Sequence, residues 1–128
     1  MENKKIILIT EDEKALRNAL DDKLQKEGFT ILDAENGEEG LALALLEHPD
    51  LILLDIVMPK MNGMKMLKEL RADEWGKTVP VIMLTNLSSA DEERNRDITA
   101  LEPTYYFMKT DIKIEQVVEK IKERLGMM

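Results

Sequence analysis

The sequence predicts an α/β protein built on a five-stranded parallel sheet with helices on both faces. Short apolar runs of strand length, such as Leu51–Leu54, alternate along the chain with segments of helical periodicity. That alternation is typical of consecutive β-α-β units with right-handed crossovers. The runs are also nearly continuous in aliphatic residues, as expected of strands covered on both faces.

Length and composition limit the kind of protein this can be. A chain of 128 residues that is 44% hydrophobic and 34% charged is expected to form one compact domain over residues 1–128. No apolar run approaches the length of a membrane span, and the absence of cysteine fits a reducing cytoplasm. A net charge of −8 argues against nucleic-acid binding and favours protein partners and cations.

Each element follows from a local pattern. The predicted strands are Ile6–Ile9, Phe29–Ala34, Leu51–Asp55, Pro80–Leu84 and Tyr105–Met108. The predicted helical faces are Leu16/Leu20/Leu24, Leu41/Leu45/Leu46, Met66/Leu67/Leu70 and Ile114/Val117/Val118/Ile121/Leu125. Gly28 ends the first helix and Asn36 caps the second. A further helix, from Ser88 or Ser89 to about Leu101, has little to bury and is expected to pack least firmly.

Polar residues stand where four of these strands end. Glu11 and Asp12 follow the first strand, Asp55 ends the third, Thr85 ends the fourth and Lys109 follows the fifth. In an open parallel sheet these positions share one edge, where ligands bind. Three carboxylates there repel one another unless one is protonated or a cation binds, and oxygen ligands suit Mg²⁺. An Asp oxygen in such a site can attack phosphorus while Thr85 and Lys109 donate to the phosphoryl oxygens.

Each of these residues also has an ordinary structural interpretation. A lone Asp55 is more often the cap of a turn, and Glu11 or Asp12 alone more often complements a helix dipole. The whole set at successive strand ends favours a functional site. His48, the only histidine, is expected to be a plain surface residue.

In combination the motifs resemble the receiver domain of bacterial two-component response regulators. The resemblance covers essentially the whole chain and includes Glu11-Asp12, Asp55 with the following Met58-Pro59 and Met61-Asn62-Gly63, Thr85 and Lys109. It implies a flavodoxin-like (βα)5 fold with strand order 2-1-3-4-5. It also implies that Asp55 is the phosphoacceptor, and that Glu11, Asp12, Asp55 and the backbone carbonyl of Val57 hold Mg²⁺.

The resemblance assigns the remaining roles as well. Thr85 and Lys109 would contact the phosphoryl group, and Thr85 and Tyr106 would form a switch that moves on phosphorylation. Val57 and Leu87 occupy two positions at which, in receivers generally, polar residues are associated with faster loss of phosphate. Because both side chains are aliphatic here, slow self-dephosphorylation is expected.

The sequence therefore predicts a stand-alone signalling switch rather than an enzyme, with only weak self-catalysed phosphotransfer and autodephosphorylation. The expected partners are a sensor histidine kinase or phosphotransfer protein and a downstream protein target. The chain would be cytoplasmic, without nucleic-acid or membrane contacts, and either a monomer or a phosphorylation-dependent homodimer. The alternative is an interaction module on the same fold that works without phosphate. A haloacid-dehalogenase type of phosphatase would need a second acid where Val57 stands.

Overall fold

The computed structural model describes residues 4–56, 58, 60–85, 105–108 and 113–127. Its strands are β1 (Ile6–Thr10), β2 (Thr30–Ala34), β3 (Leu51–Asp55), β4 (Val81–Thr85) and β5 (Tyr105–Met108). Its helices are α1 (Lys14–Lys26), α2 (Gly37–Glu47), α3 (Gly63–Ala72) and α4 (Ile114–Arg124). The helix predicted from Ser88 or Ser89 to Leu101 lies outside the described residues.

All five strands are parallel and form one sheet in the order β2-β1-β3-β4-β5. This confirms the predicted fold class and strand order. The register pairs Thr10 with Ala34 and Leu54, and Asp55 with Leu84. The carboxyl ends of β1, β2, β3 and β4 therefore meet at one edge, and the residues that follow these strands are brought together there.

The central strand β3 divides the apolar core into two layers. Every residue from Leu51 to Leu54 is fully buried. Ile52 and Leu54 pack with residues of α2 and α3, whereas Leu51 and Leu53 pack with residues of α1 and α4. A strand that must bury both faces needs a continuous aliphatic run, which is why this segment was recognisable from sequence.

The predicted faces of α3 and α4 are confirmed. Met66, Leu67 and Leu70 of α3 are fully buried, as are Val117 and Ile121 of α4. Each helix presents one apolar stripe to the sheet, as its periodicity predicts. No helix in the described part of the chain is long and apolar enough to cross a membrane.

The predicted face of α2 is wrong for two of its three leucines, since only Leu41 packs against the core. Leu46 is 76% exposed and Leu45 is 39% exposed, and the buried positions are instead Gly37, Gly40 and Ala44. Small residues at this spacing let the helix lie close to the sheet, because a Cβ on Gly40 would stand only 2.6 Å from the Cγ2 of Thr10. The buried face of α2 is therefore the one that allows the closest approach to the sheet, not the one with the largest apolar side chains. The start of the helix is as predicted, since the Asn36 side chain accepts from the backbone N–H of Glu39 at 2.9 Å.

A loop at the amino ends of the strands is held by hydrogen bonds and burial. In the segment Asp73–Val79, Val79 is buried, and Arg71 donates to the carbonyl oxygens of Gly76 and Val79 at 2.8 Å each. His48 is exposed, yet it is not a plain surface residue. It ends α2 in the left-handed conformation and its ring stacks on Trp75, with centroids 4.3 Å apart. Neither contact leaves a periodic signal in the sequence.

Candidate functional site

Three carboxylates converge at the carboxyl edge of the sheet. One oxygen each from Glu11, Asp12 and Asp55 lies within 4.8 Å of the others. Glu11 and Asp55 are buried, whereas Asp12 is exposed to solvent. The sequence therefore placed these side chains together correctly, and the cluster opens to solvent on the side of Asp12.

Hydrogen bonds on both sides hold Glu11 in place. The N–H of Glu11 donates to the carbonyl of Ala34 at 3.0 Å, which continues the pairing of β1 with β2 by one residue. One carboxylate oxygen of Glu11 accepts from the N–H of Glu13 at 3.0 Å, at the start of α1. Glu11 thus bonds to β2 through its backbone and to the N-cap residue of α1 through its side chain, so its position is fixed from both sides.

The chain after β3 folds closely over Asp55. The N–H of Ile56 donates to the carbonyl of Leu84, and the N–H of Gly63 donates to the carbonyl of Ile56 at 2.8 Å. A Cβ at Gly63 would lie 2.2 Å from the Asp55 carbonyl oxygen. Only glycine permits this approach, which brings the start of α3 against the end of β3 beside the acidic cluster.

Arg17 is a site residue that the sequence reading missed. It lies on the buried face of α1 with Leu20 and Leu24. Its guanidinium donates to the carbonyl oxygen of Glu11 at 2.8 Å and lies 3.6 Å from the carboxylate of Glu35. The partner of its shorter contact is a backbone carbonyl, which no pattern of residue types in the sequence reveals.

A second carboxyl pair lies between α1 and β2. Partial loss of solvent and a hydrogen bond with Asp21 raise the pKa of Asp33 to about 7, although much of the residue stays exposed, and Arg17 offsets part of this rise. Asp33 is in register with Ile9 of β1, one residue before Thr10 and two before Glu11. At neutral pH the Asp33 carboxyl group is therefore protonated part of the time.

This pair makes stability depend on pH. The unfolded chain releases the Asp33 proton near pH 3.8, whereas the folded chain keeps it to about pH 7, so stability falls as pH rises between these values. Asp33→Asn keeps a donor toward Asp21 without the charge. We expect this variant to match the parent below pH 4 and to be more stable at pH 8, by about 1 kcal/mol once solvent screening of this exposed group is allowed for.

Urea unfolding of the metal-free protein across this range measures the difference. The matched control is Asp22→Asn, which removes the same charge from an exposed position of α1, where Asp22 pairs only with Lys26 at 3.0 Å among the described residues. Its difference from the parent should not change with pH above pH 5. An Asp33→Asn advantage that is equal at pH 4 and pH 8 would contradict the raised pKa of Asp33.

The acidic cluster fits a divalent cation of the Mg²⁺ type. Its donors are carboxylate oxygens, which Mg²⁺ prefers, and its opening to solvent leaves room for the water ligands that Mg²⁺ retains. Three anionic groups this close also repel one another, and a bound cation removes that cost. In the described part of the chain, this is the group of acidic residues close enough to hold a metal ion.

The other predicted site residues are described only in part. Thr85 ends β4, and its backbone is in register with Met108 of β5, immediately before Lys109 in sequence. The backbone of Tyr106 belongs to β5, in register with Met83. Lys109, Val57 and Leu87 lie outside the described residues, as do the side chains of Thr85 and Tyr106. Their proposed roles stay predictions.

Comparison with known proteins gives a family match over most of the chain. The model of the response regulator receiver domain family matches residues 7–122. Among curated proteins, PilH of Pseudomonas aeruginosa is 40% identical over 90 residues, covering 70% of this chain and 72% of PilH. The probable transcriptional regulator ycf27 of Cyanophora paradoxa is 40% identical over 100 residues, covering 78% of this chain but only 39% of that protein. The chain thus spans about two fifths of the length of the ycf27 relative.

Solved structures agree in fold. The chemotaxis response regulator CheY4 of Vibrio cholerae superposes with a TM-score of 0.85 at 26% identity, covering 94% of this chain and 98% of CheY4. A CheY-like response regulator receiver domain protein from Methanospirillum hungatei gives a TM-score of 0.87 at 30% identity, covering 97% of this chain and 95% of that one. Both alignments cover nearly the whole of this chain and of the matched chain.

Proposed function

Because this chain belongs to the response regulator receiver domain family, we propose that it accepts a phosphoryl group from a phosphohistidine onto Asp55. Receiver domains are signalling modules, and they use Mg²⁺. The observation that carries the proposal is the convergence of the buried Asp55 carboxylate with Glu11 and Asp12 at the sheet edge. An acceptor carboxylate and ligands for a cation are what aspartyl phosphorylation requires.

The reaction is a transfer between two protein side chains. An oxygen of Asp55 forms a bond to phosphorus while the bond from phosphorus to the donor histidine nitrogen breaks, and the imidazole takes up a proton. Glu11, Asp12 and the Val57 carbonyl would hold Mg²⁺, which supplies positive charge against the phosphoryl oxygens when bound. Thr85 and Lys109 would donate to the same oxygens.

The donor is proposed to be a sensor histidine kinase or a phosphotransfer protein in the cytoplasm, and the output a protein-protein contact. The switch would involve Thr85 and Tyr106. A net charge of −8 supports contacts with proteins rather than nucleic acid through this domain. The word "transcriptional" in the name of the ycf27 relative describes a protein more than twice the aligned length. Regulation of transcription is therefore not proposed for this segment.

Labelling with acetyl phosphate, with and without Mg²⁺, tests the proposal. We expect one phosphoryl group per chain in the presence of Mg²⁺, with none on Asp55→Asn. The exposed-site variant Asp22→Asn should be labelled like the parent. If the parent takes no label, the interaction-module alternative is favoured, and label that persists on Asp55→Asn would place the acceptor elsewhere.

The lifetime of the phosphoryl group is a separate prediction. Val57 and Leu87 offer no hydrogen bond to an attacking water, so self-dephosphorylation should be slow. The double variant Val57→Asn with Leu87→Glu should lose phosphate at least about tenfold faster, because a polar group can then orient that water. Decay of the labelled protein after removal of acetyl phosphate measures both rates. Equal decay in parent and variant would show that these positions only fill space.

A further inference from the structure

Arg17 is a buried cation next to an acidic cluster, and its guanidinium contacts a backbone carbonyl and the carboxylate of Glu35. Its side chain is 11% exposed, and it lies on the buried face of α1 together with Leu20 and Leu24. Burying a guanidinium away from water is costly unless its donors are satisfied. The groups that satisfy it therefore indicate what it does.

Those groups belong to two different loops at the sheet edge. One terminal nitrogen donates to the Glu11 carbonyl oxygen at 2.8 Å, and the other lies 3.6 Å from the Glu35 carboxylate, which is 71% exposed. The buried bond to the carbonyl is the shorter contact, and it is screened less by solvent. The main partner of Arg17 is thus a backbone group between β1 and α1.

The Glu11 carbonyl belongs to the peptide unit that joins Glu11 to Asp12. The N–H of Glu11 is already held by Ala34 at 3.0 Å, so a bond on the carbonyl side fixes the orientation of the next peptide. An uncompensated change in the backbone torsions of this segment would move the Asp12 side chain relative to Glu11 and Asp55. The hydrogen bond from Arg17 to the Glu11 carbonyl therefore restrains the backbone that carries Asp12.

We infer that Arg17 is a positioning residue for the acidic site, and that it orients the Glu11–Asp12 peptide so that the carboxylates converge before a cation binds. The inference rests on the proposed function, in which this cluster holds a divalent cation. The direction in which Mg²⁺ affinity changes distinguishes a positioning role from a direct electrostatic effect. Removing a positive charge near a cation site should strengthen cation binding by electrostatics alone, whereas loss of positioning should weaken it.

The test is the dissociation constant for Mg²⁺, measured by calorimetry on the folded protein. Arg17→Met keeps most of the apolar stem and removes the guanidinium. We expect the constant to rise about tenfold, in the range found when groups that orient metal ligands are removed. Arg17→Lys keeps the charge but not the planar fork, so it should also bind more weakly, whereas electrostatics predicts no change. Glu35→Gln should stay within twofold of the parent.

The chain offers a matched control in Arg71. This arginine also donates to backbone carbonyls, those of Gly76 and Val79 at 2.8 Å each, but at the opposite end of the sheet. Arg71→Met should lose stability in urea without changing the Mg²⁺ constant. If Arg17→Met behaves as Arg71→Met does, losing stability alone, the positioning role is overturned.

A second measurement needs no metal. In the metal-free protein, amide exchange at Glu13, whose N–H donates to the Glu11 carboxylate at 3.0 Å, should speed up in Arg17→Met and Arg17→Lys but not in Arg71→Met. Unchanged exchange would overturn the inference. A parent that binds no Mg²⁺ would overturn the proposed function, and the exchange comparison would still decide the role of Arg17.

Discussion

Replacing Gly63 with alanine is expected to destabilise the protein by about 3 kcal/mol, the upper part of the range for overpacking a tight contact. The added Cβ would stand 2.2 Å from the carbonyl oxygen of Asp55 and 2.8 Å from the Cα of Ile56. Both are backbone atoms of a segment anchored in the sheet, so neither can move away cheaply. The start of α3 and the end of β3 would have to separate, and the acidic cluster lies at that junction.

Gly28→Ala is the matched control. No atom lies within 4 Å of a Cβ built at Gly28, but its φ of +97° is unfavourable for alanine and costs about 1–2 kcal/mol. Urea unfolding should rank Gly63→Ala as the more destabilised variant, and only Gly63→Ala should also weaken Mg²⁺ binding. A Gly63→Ala protein within about 0.5 kcal/mol of the parent would show that the junction adjusts, contrary to this argument.

The parts of the fold that were predictable from sequence are those in which one element carries its own signal. The aliphatic run Leu51–Leu54 indicates a strand buried on both faces, and the stripes of α3 and α4 indicate which side of each helix is covered. The strand order did not follow from any such pattern. It came from the family resemblance, because apolar patterning does not tell which strands are neighbours.

The features that could not be predicted depend on contacts between two segments that are distant in sequence. In α2, leucines suggested one face, but the sheet accepts the face with Gly40 and Ala44 because these residues allow a closer approach to Thr10. His48 and Trp75 are distant in sequence and stack only because the loops before β3 and β4 lie side by side.

The acidic site shows the same division. Glu11, Asp12 and Asp55 were predictable because each stands at the end of a recognisable strand, and parallel strands bring their ends to a common edge. Arg17 was not, because its role depends on a bond to a backbone carbonyl, and any residue type supplies that acceptor. Backbone partners leave no trace in the identity of the residue that carries them.

The charge of the cluster leads to opposite effects of one substitution with and without metal. In metal-free protein, Asp55→Asn should raise the free energy of unfolding by at least about 1 kcal/mol, since two like unit charges about 4 Å apart repel by about that amount even with the full screening of bulk water. Asp12→Ala should act in the same direction. Both substitutions remove a like charge from a site where two of the three carboxylates are buried.

In the presence of Mg²⁺ the stability order should reverse, so that the parent becomes more stable than Asp55→Asn. At a hundredfold excess over its dissociation constant, Mg²⁺ is expected to stabilise the parent by about 2.7 kcal/mol, because it binds the folded state alone. Asp55→Asn has lost one of the three carboxylates that would hold the ion, so it should gain much less. Asp22→Asn, with the same change in net charge at an exposed position, should gain as much as the parent.

Thermal or urea unfolding of the three proteins, each in EDTA and in millimolar Mg²⁺, decides the matter. The crossing of the parent and Asp55→Asn curves is the informative result, because a general effect of ionic strength would shift all three proteins alike. A parent whose unfolding is unchanged by millimolar Mg²⁺ would mean that the three carboxylates do not form a cation site. A parent stabilised no more than Asp55→Asn would mean that the ion binds without Asp55, away from the proposed phosphoacceptor.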